Sequence, residues 1–575
     1  MNGAIDNNQL GEQLISAGLI SEDELAMLLD IQRQSGEHLT RIVVERGIAS
    51  EDTVLDAISD IFGLPIVSLR DFRLDEQASK LVDFRFASRH GLIPLSIEGD
   101  LLRIAVTTPL DVQAMDDLRL LTGYLIECVL ARESEILAAL RTTYGVGAET
   151  IRVIMESGEI SSKSIDSEQI DIGEARDSAG EASIIGFVNQ ILAEAVGNRA
   201  TDVHIEPYPS RLRVRYRIDG VLHELPVPAN LHHFHEEIIS RVKVMSNLNI
   251  AERRLPQDGR CTVRVDRTNL DLRISILPTA HGETVSIRFL NRGAILFGLD
   301  RLGLSQENLQ IFERMIHRPY GIILVTGPTG SGKTTTLYSC LNRINSSDRK
   351  IITIEDPIEY QLTGISQIQV HPKIGLTFGQ GLRSMLRHDP DIMMVGEIRD
   401  SETAQVAVQI ALTGHLIFSS LHTNDSASTI VRLRNMGVES YLIVSSVECI
   451  IAQRLVRLVC RNCSEEMPVD PAILVNLTKQ EREMLPDRII EGRGCSACNG
   501  TGFFGRTGIF ETLVLNEGMR WAVMQHMSSG SLKNLALEHG MRTLRIDGFE
   551  KVRQGLTTLS EVLRVTLETD DSAKA

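Results

Sequence analysis

The sequence predicts an α/β protein in which a parallel sheet is flanked by helices and preceded by an α+β domain and a small N-terminal module. From about residue 293, apolar segments of strand length alternate with segments that can form helices, which is typical of a parallel sheet. The first of these strands, 322–326, leads into a glycine-rich loop followed by a helical stretch, 334–343. Two earlier segments, 213–218 and 270–276, alternate apolar and polar residues, which indicates half-buried strands.

The composition limits the class of protein. The chain has 575 residues, of which 43% are hydrophobic, enough for several cores. The net charge of −17 argues against a protein that coats nucleic acid, because phosphate backbones need a basic face, but a local basic surface stays open. The polar N-terminus lacks a signal-peptide pattern, and no run approaches the ~18 apolar residues of a membrane span. We therefore expect a cytoplasmic protein that meets the membrane only through partners.

Residues 1–145 are predicted to form an N-terminal module that opens with an internal repeat. Segment 39–54 repeats the pattern of segment 10–25. In each copy the pattern predicts a helix that ends at a Gly, then a Ser that caps the start of the next helix and is followed by acidic residues. Two copies are too few for a solenoid, so a small helical bundle is expected. The rest of the module mixes a short strand with helices, at 101–106, 112–121 and 133–144.

Residues 146–180 are predicted to be a flexible acidic linker, because Ser, Glu, Asp and Gly dominate and hydrophobic residues are scarce. A solvated surface helix is the alternative for 151–156. An α+β domain follows at 181–292, in which strand 213–218 enters a hairpin turn at Asp219-Gly220. The strands of this domain carry arginines on one face.

Residues 327–334, GPTGSGKT, match the phosphate-binding loop pattern G-x-x-x-x-G-K-[ST]. Glycines let backbone N–H groups point at phosphate oxygens, and the N-terminus of the following helix favours the anion. Lys333 would reach the β- and γ-phosphates, and the Thr334 hydroxyl would bind Mg²⁺. The alternative is a glycine-rich turn that matches the pattern by chance, but such a match is rarer when a strand precedes it and a possible helix follows it. The predicted nucleotide-binding residues are Gly327, Pro328, Thr329, Gly330, Ser331, Gly332, Lys333, Thr334 and Thr335.

Acidic residues after two strands are candidates for the catalytic chemistry. Glu397 follows the apolar strand 392–395, where a carboxylate can orient and polarise an attacking water near Mg²⁺. Glu355 ends the preceding strand, 351–355, and Asp356 and Glu359 follow it at the same edge. Ligands bind beyond the carboxyl ends of parallel strands, so these acids are expected to converge on the phosphates. Asp356 precedes a proline, so a role in forming the turn is equally open for it.

Two histidines bracket the next strand, 416–420. His415 precedes this strand and His422 follows it. Either could sense the γ-phosphate, and a structural role is the alternative for each. Because both flank a strand of the site, we expect a sensor role for at least one of them.

Two C-x-x-C pairs can supply four thiolates to a tetrahedral Zn²⁺: Cys460 with Cys463, and Cys495 with Cys498. A reducing cytosol disfavours disulfides, and two paired motifs argue for a metal rather than for a redox pair. The long gap between the pairs suggests an inserted zinc-binding lobe at about 456–510. The four scattered cysteines are predicted to be small apolar core residues, namely Cys128, Cys261, Cys340 and Cys449.

Several separate segments resemble, in order, the motifs of one known family. They are GPTGSGKTTT (327–336), TIEDPIEY (353–360), LRHDPDIMMVGEIRD (386–400), TGHLIFSSLHTND (413–425) and AQRLVRLVC (452–460), followed by the four cysteines. With them, nearly all of residues 181–515 resembles the secretion ATPases of type II secretion and type IV pilus assembly. Within this superfamily the resemblance is greatest to the type II assembly ATPases.

The resemblance implies a homo-hexamer with a RecA-like P-loop core in residues 293–575, a preceding PAS-like α+β domain, and ATP, Mg²⁺ and Zn²⁺ as ligands. By position, Glu397 matches the family's catalytic glutamate. Segment 355–359, with Glu359, matches its Asp box, and segment 415–422, with His422, matches its His box. The resemblance also makes four arginines candidates to contact phosphate or a subunit interface: Arg273, Arg288, Arg383 and Arg387.

The first 145 residues resemble the family's N-terminal module, which docks on a membrane-anchored platform or accessory protein. Relatives of that module bind cyclic di-GMP through a repeated pattern that begins with Arg-Leu-Gly and ends in Gln. Here Gln9-Leu10-Gly11 replaces the first triplet, and the second copy has Leu39-Thr40-Arg41 and lacks the final Gln. These departures argue against cyclic di-GMP binding.

Three functions remain open. The first is an ATPase whose hydrolysis powers assembly of a pseudopilus for type II secretion, with pilus extension by a type IV system as its close alternative. The second is a nucleotide-dependent scaffold, which Glu397 disfavours because binding alone does not require a water-positioning acid. The third is a motor of conjugation or DNA uptake, in which the acidic charge disfavours direct handling of DNA. A pilus-retraction ATPase is disfavoured because its relatives lack the long N-terminal region and the cysteines.

Overall fold

A computed structural model describes residues 50–69, 75–108, 112–144, 170–171, 184–265, 268–290, 298–475 and 477–566, together with isolated positions between 15 and 48. The chain forms two compact units, Met1–Phe289 and Leu290–Ala575. Most of the internal repeat, the cyclic di-GMP pattern and most of the predicted linker lie outside the described residues, whereas the end of the second repeat copy, 50–54, is described.

The N-terminal part of the first unit combines helices with a three-stranded sheet. Its helices are α1 (Glu51–Phe62), α2 (Glu76–Leu81), α3 (Phe84–Arg89), α4 (Val112–Thr122) and α5 (Glu133–Tyr144). Helix α1 begins as predicted, because the Ser50 side chain accepts a hydrogen bond from Thr53 N, and it ends at Gly63 in the left-handed conformation.

The sheet of this part has the order β1-β2-β3, with strands β1 (Leu92–Glu98), β2 (Leu101–Val106) and β3 (Leu125–Leu130). Strand β2 pairs antiparallel with β1 and parallel with β3. The predicted strand 101–106 and helix 133–144 are confirmed at their stated bounds, and the helix predicted at 112–121 extends to Thr122.

The α+β domain of the first unit is a seven-stranded sheet with the order β4-β8-β9-β10-β5-β6-β7. Its elements are β4 (Ile170–Asp171), α6 (Ile184–Gly197), β5 (Ala200–Pro207), β6 (Leu212–Ile218), β7 (Val221–Leu225), α7 (His235–Met245), β8 (Gln257–Val265), β9 (Thr268–Thr279) and β10 (Gly282–Leu290). Both helices contribute to one apolar core with the buried face of the sheet. The predicted hairpin and the predicted α+β character are therefore confirmed, whereas the PAS-like description and the domain boundaries stay predictions.

The second unit is built on a seven-stranded sheet, whose strands are β11 (Gly321–Thr326), β12 (Ile351–Glu355), β13 (Ser366–Gln369), β14 (Ile392–Val395), β15 (Leu416–Leu421), β16 (Val447–Val459) and β19 (Phe503–Val514). They follow the order β13-β12-β14-β15-β11-β16-β19. All neighbours are parallel except β16 and β19. The four strands predicted from apolar runs are confirmed, with shifts of at most one residue at their ends.

Helices cover both faces of this sheet, which explains why its strands are apolar throughout rather than alternating. They are α8 (Gln306–Ile316), α9 (Lys333–Ile344), α10 (Phe378–Met385), α11 (Ser401–Leu412), α12 (Ser426–Asn435) and α13 (Ser440–Ser446). One apolar core contains residues of α8 and α9, and another contains residues of α10 to α13. The parallel α/β architecture is confirmed.

Between β16 and β19 the chain inserts a small lobe that contains α14 (Pro471–Leu474), α15 (Lys479–Glu483) and a hairpin of β17 (Ser464–Pro468) with β18 (Arg488–Gly492). Four helices follow β19: α16 (Glu517–Met524), α17 (Ser529–Glu538), α18 (Leu544–Arg553) and α19 (Leu559–Thr566). Nowhere in the described part of the chain is a helix long and apolar enough to cross a membrane.

Candidate nucleotide site and metal centre

The glycine-rich loop connects β11 to α9, as the motif requires. Three of its glycines have positive φ angles: Gly327 at 148°, Gly330 at 80° and Gly332 at 87°. A β-carbon at Gly327 would lie 2.5 Å from the carbonyl oxygen of Gln453, and one at Gly332 would lie 2.8 Å from the Gln453 amide nitrogen. Glycine is needed at both positions because the loop packs directly on β16.

The loop retains polar groups that a phosphate could satisfy. The Ser331 side chain is buried, and its hydroxyl has no hydrogen-bond partner among the described residues. Lys333 folds back over the loop, where its Nζ donates to the carbonyl oxygens of Gly327 (2.8 Å) and Pro328 (3.0 Å). Burial lowers the pKa of Lys333 to about 8, and the like charge of Arg454 acts in the same direction against the opposing effect of Glu397. Thr334 and Thr335 lie in the first turn of α9, partly exposed.

Glu397 lies at the carboxyl edge of the same sheet, two residues beyond β14. Its carboxylate is 14% exposed, forms an ion pair with Arg399, and lies 3.1 Å from His422 Nε2. Burial raises the pKa of Glu397, but hydrogen bonds and charge from Arg399 and then His422 outweigh burial, so the pKa lies below its usual value. Glu397 is therefore ionised at neutral pH.

Backbone contacts fix the loop that carries Glu397. The Ser420 hydroxyl donates to the carbonyl oxygen of Gly396 at 2.7 Å, and Ile398 N donates to the carbonyl oxygen of Ser420 at 3.0 Å. Both residues next to Glu397 are thus attached to β15, the strand that His422 directly follows.

The structure separates the two histidines. His422 follows the carboxyl end of β15 and contacts Glu397, whereas His415 precedes β15 at the opposite edge. The His415 ring lies near Thr413 Oγ1 (3.1 Å) and the Ile410 carbonyl oxygen (3.2 Å). Since a strand of this length spans roughly 20 Å, only His422 is placed where it could act on the nucleotide.

A partly buried chain of hydroxyl groups connects the glycine-rich loop to His422. Thr326, the last residue of β11, lies 2.6 Å from Thr423 through their hydroxyl oxygens, and Thr423 N donates to Thr326 Oγ1 at 3.0 Å. The Thr423 hydroxyl continues to that of Thr429 at 2.6 Å. Since Thr326 precedes Gly327 and Thr423 follows His422, this chain links the two parts of the site.

The acids after β12 divide between the core and the surface. The Glu355 carboxylate is buried and accepts hydrogen bonds from Tyr338 and from Thr353 at 2.5 Å. This contradicts the expectation that Glu355 converges on the phosphates, because helix α9 holds its side chain in the core. Asp356 is exposed and lies 3.9 Å from Arg399, and Glu359 is exposed.

The candidate arginines have different surroundings. Arg383 pairs with Glu402 at 2.6 Å, and Arg387 donates to the Ser384 hydroxyl at 3.2 Å. In the first unit, Arg288 pairs with Asp202 at 2.8 Å. Arg273 lies on the exposed face of β9, and the described part of the chain provides it with no hydrogen bond or ion pair.

The four cysteines of the two C-x-x-C pairs come together at the base of the inserted lobe. Their sulfur atoms all lie within 4.8 Å of one another. The separations are 3.8 Å for Cys460 and Cys495, 3.9 Å for Cys463 and Cys498, and 3.7 Å for Cys495 and Cys498. None of these four described cysteines forms a disulfide.

These sulfur positions fit a tetrahedral zinc ion. Zinc–sulfur bonds of about 2.3 Å in a tetrahedron put neighbouring sulfurs about 3.8 Å apart. Backbone N–H groups already point at the sulfurs, from Gly494 to Cys463 at 3.3 Å and from Gly502 to Cys498 at 3.3 Å. Such N–H groups support thiolates, so the donor set and its surroundings match a structural zinc site.

Arg399, Thr326 and Thr423 were not among the site residues expected from the sequence. Arg399 belongs to the segment GEIRD, in which an arginine two residues after Glu397 was an available signal. The threonine contact gave no such signal, because it depends on the pairing of β11 with β15, whose residues are far apart in sequence.

Comparison with known families and proteins gives a consistent result. Residues 177–564 match the model of the type II/IV secretion system protein family, and residues 62–150 match the MshEN domain. The chain is 42% identical to the type II secretion system protein E of Xanthomonas campestris, over 96% of this chain and 98% of that protein. It is 40% identical to the type IV pilus assembly ATPase PilB of Myxococcus xanthus, over 97% and 98% of the two chains. It is also 40% identical to the type II secretion system ATPase E of Vibrio cholerae, over 86% and 98%.

Proposed function

Because the chain belongs to the type II/IV secretion system protein family, we propose that it is an ATPase whose hydrolysis powers assembly of a pseudopilus for type II protein secretion. The observation that carries this function is the ionised Glu397 at the same sheet edge as the glycine-rich loop. A protein that only binds nucleotide has no need of such a carboxylate, so an enzyme is favoured over a scaffold. The alternative product is a type IV pilus, because a pilus assembly ATPase is almost equally similar to the chain.

The residues of the site would have different roles in hydrolysis. The backbone of the glycine-rich loop and Lys333 would hold the phosphates, and Thr334 would hold Mg²⁺, which supplies positive charge to the phosphate oxygens. Glu397 would accept a hydrogen bond from the attacking water, and His422 would fix the carboxylate from its other side. Glu359, exposed after β12, would contribute through charge rather than through a contact in the core.

Arginines from the α+β domain would complete the charge stabilisation. Transition-state charge on the transferred phosphoryl group is well matched by guanidinium groups. Arg273 is free of partners in the described part of the chain, whereas Arg288 would have to exchange Asp202 for phosphate. We assign both a role in hydrolysis, so that movement of their domain and loss of phosphate become one event.

The assembly in which these events occur would be a homo-hexamer in the cytoplasm, bound to the inner membrane through platform and accessory proteins of the machine. Zn²⁺ on the four cysteines would stiffen the inserted lobe without taking part in hydrolysis, since all four positions of the ion would be occupied. No binding of nucleic acid is proposed.

The test is complementation of a strain that lacks the gene for this chain. The wild-type gene should restore secreted protein in the medium, and Glu397→Gln should not, while the control Glu439→Gln alters an exposed acid and should behave as the wild type. Restoration of surface pili without a change in secretion would select the pilus alternative. Full restoration by Glu397→Gln would select the scaffold.

A further inference from the structure

Strand β16 continues past the carboxyl edge of the sheet and runs beside the glycine-rich loop. Ala452 pairs with Thr326, the last residue of β11, so the residues after Ala452 lie level with the loop. Gln453 is locked there, since its Oε1 accepts a hydrogen bond from Thr336 of α9 at 2.7 Å. Arg454, the next residue, therefore has a fixed backbone position next to the phosphate site.

The side chain of Arg454 lacks the partner that a half-buried arginine normally has. Its Nη2 donates to Asn424 Oδ1 at 3.0 Å, and its Nε is buried without a hydrogen-bond partner. No carboxylate pairs with it in the part of the chain that the structure describes. Arg457, which lies three residues further along the same strand, pairs with Glu561 at 2.6 Å. Arg520, elsewhere in the same unit, pairs with Glu448 at 3.1 Å. Arg454 thus differs from these two half-buried arginines of the same unit.

An unpaired cation in this position has an energetic cost that a bound anion would remove. Burial lowers the pKa of Arg454, and no acid opposes this effect. Arg454 also lowers the pKa of Lys333, so two cations repel each other across the loop before a ligand arrives. A triphosphate would reverse both effects, because it brings negative charge to both cations.

Asn424 indicates which phosphate the arginine reaches. It lies two residues after His422, and His422 contacts Glu397. The hydrogen bond from Arg454 therefore ends on the side of the site where the water would attack, which is the side of the γ-phosphate.

We propose that Arg454 binds the γ-phosphate of ATP bound to the same subunit, releasing or sharing its contact with Asn424. This inference rests on the proposed function, since it requires ATP in the loop. Arg454 would then distinguish ATP from ADP and report the presence of the γ-phosphate to the segment that carries His422. The planar guanidinium group can donate two hydrogen bonds in a fixed geometry to two oxygens of one phosphate, whereas an amine cannot.

The experiment measures equilibrium affinity of the full-length protein for a non-hydrolysable ATP analogue and for ADP, both with Mg²⁺. Arg454→Gln should weaken analogue binding by about tenfold or more, which is typical of a lost charge-assisted hydrogen bond, and ADP binding by less than about threefold. Arg454→Lys should recover part of the loss. The matched control Arg520→Gln should leave both affinities within about twofold, as its contacts lie away from the loop.

Three results would overturn the assignment. The first is that Arg454→Gln leaves both affinities unchanged. The second is that it weakens binding of the analogue and of ADP by the same factor. The third is that Asn424→Ala weakens analogue binding as much as Arg454→Gln does and that the double variant binds no more weakly than either single variant. The last result would show that the arginine acts only by holding the loop. Lys333→Ala is measured in parallel, because normal analogue binding in that variant would contradict the nucleotide site itself rather than the role of Arg454.

Discussion

At the scale of single residues, Glu397 is subject to two opposing electrostatic effects. Burial of its carboxylate favours the neutral acid, whereas Arg399 and His422 favour the anion and prevail. The side chain is therefore both charged and held in one position. A carboxylate that is to orient a water molecule needs both properties, since a protonated acid accepts hydrogen bonds poorly.

Removal of Arg399 should make the enzyme sensitive to acid. Arg399→Gln removes the larger of the two charge effects that lower the pKa of Glu397, so burial should raise that pKa above its present value. Activity that requires ionised Glu397 would then be lost at a higher pH as the solution is acidified. The measurement is kcat/KM for ATP as a function of pH.

Arg343→Gln is the matched control, because Arg343 is exposed and pairs with Glu313 rather than with Glu397. An acidic limb at the same pH in wild type, Arg399→Gln and Arg343→Gln would show that Arg399 does not set the ionisation of Glu397.

At the scale of elements, the inserted lobe has its four cysteines where its two ends meet. The hairpin of β17 and β18 and two short helices form a small structure, with a core shared with the C-terminal helices. Gly492 and Gly502 approach so closely that a β-carbon on Gly492 would lie 2.1 Å from the Gly502 carbonyl oxygen. This close approach brings the two ends of the lobe together at the sulfur cluster.

Changing Cys460 or Cys495 to Ser should release zinc and loosen the lobe. Structural zinc contributes of order ~10 kcal/mol to the folding of small modules, so loss of one ligand should expose the lobe to proteases. ATP affinity should stay within about threefold, since the cysteines do not belong to the glycine-rich loop. Zinc content by elemental analysis, limited proteolysis and nucleotide affinity are the measurements.

Cys128→Ser serves as the control, because Cys128 lies in the N-terminal part of the first unit, outside the sulfur cluster. Purified wild-type protein with far less than one zinc per chain would refute the metal site.

The elements that the sequence predicted best are those determined by local chemistry. Apolar runs fixed the bounds of β11, β12, β14 and β15, because strands covered by helices on both sides leave little choice of residue. The glycine-rich loop was predictable for the same reason, since its conformation excludes side chains. The direction of the Glu355 side chain was not predictable, because it depends on Tyr338 of α9, a contact between distant segments. The contacts of Arg399 and Arg454 likewise appear only when separate strands are brought side by side.

At the scale of the whole molecule, the two compact units carry different parts of the proposed mechanism. The second unit holds the glycine-rich loop, Glu397 and the cysteines, and the first holds Arg273 and Arg288. The proposed role of Arg273 and Arg288 would make hydrolysis depend on residues of both units.

Arg273→Ala and Arg288→Ala, made singly, should retain ATP binding and oligomer size but lose at least about tenfold in turnover, which is modest for arginines that stabilise a phosphoryl transition state. Asp202 is buried but keeps its contacts with Arg217 (3.6 Å) and Thr201 (2.8 Å), so Arg288→Ala should still fold despite the loss of its own contact with Asp202. Near-normal turnover in both variants would exclude these arginines from the mechanism.

The central claim, that Glu397 directs hydrolysis of ATP held by the glycine-rich loop, is tested most directly by turnover of purified Glu397→Gln protein measured beside its ATP affinity. The substitution preserves the size of the side chain and removes only its charge. We expect ATP affinity within about threefold of the wild type and turnover reduced by about 100-fold or more, the range for loss of a residue that acts on the attacking group. Turnover within about twofold of the wild type, with ATP bound normally, would contradict the claim.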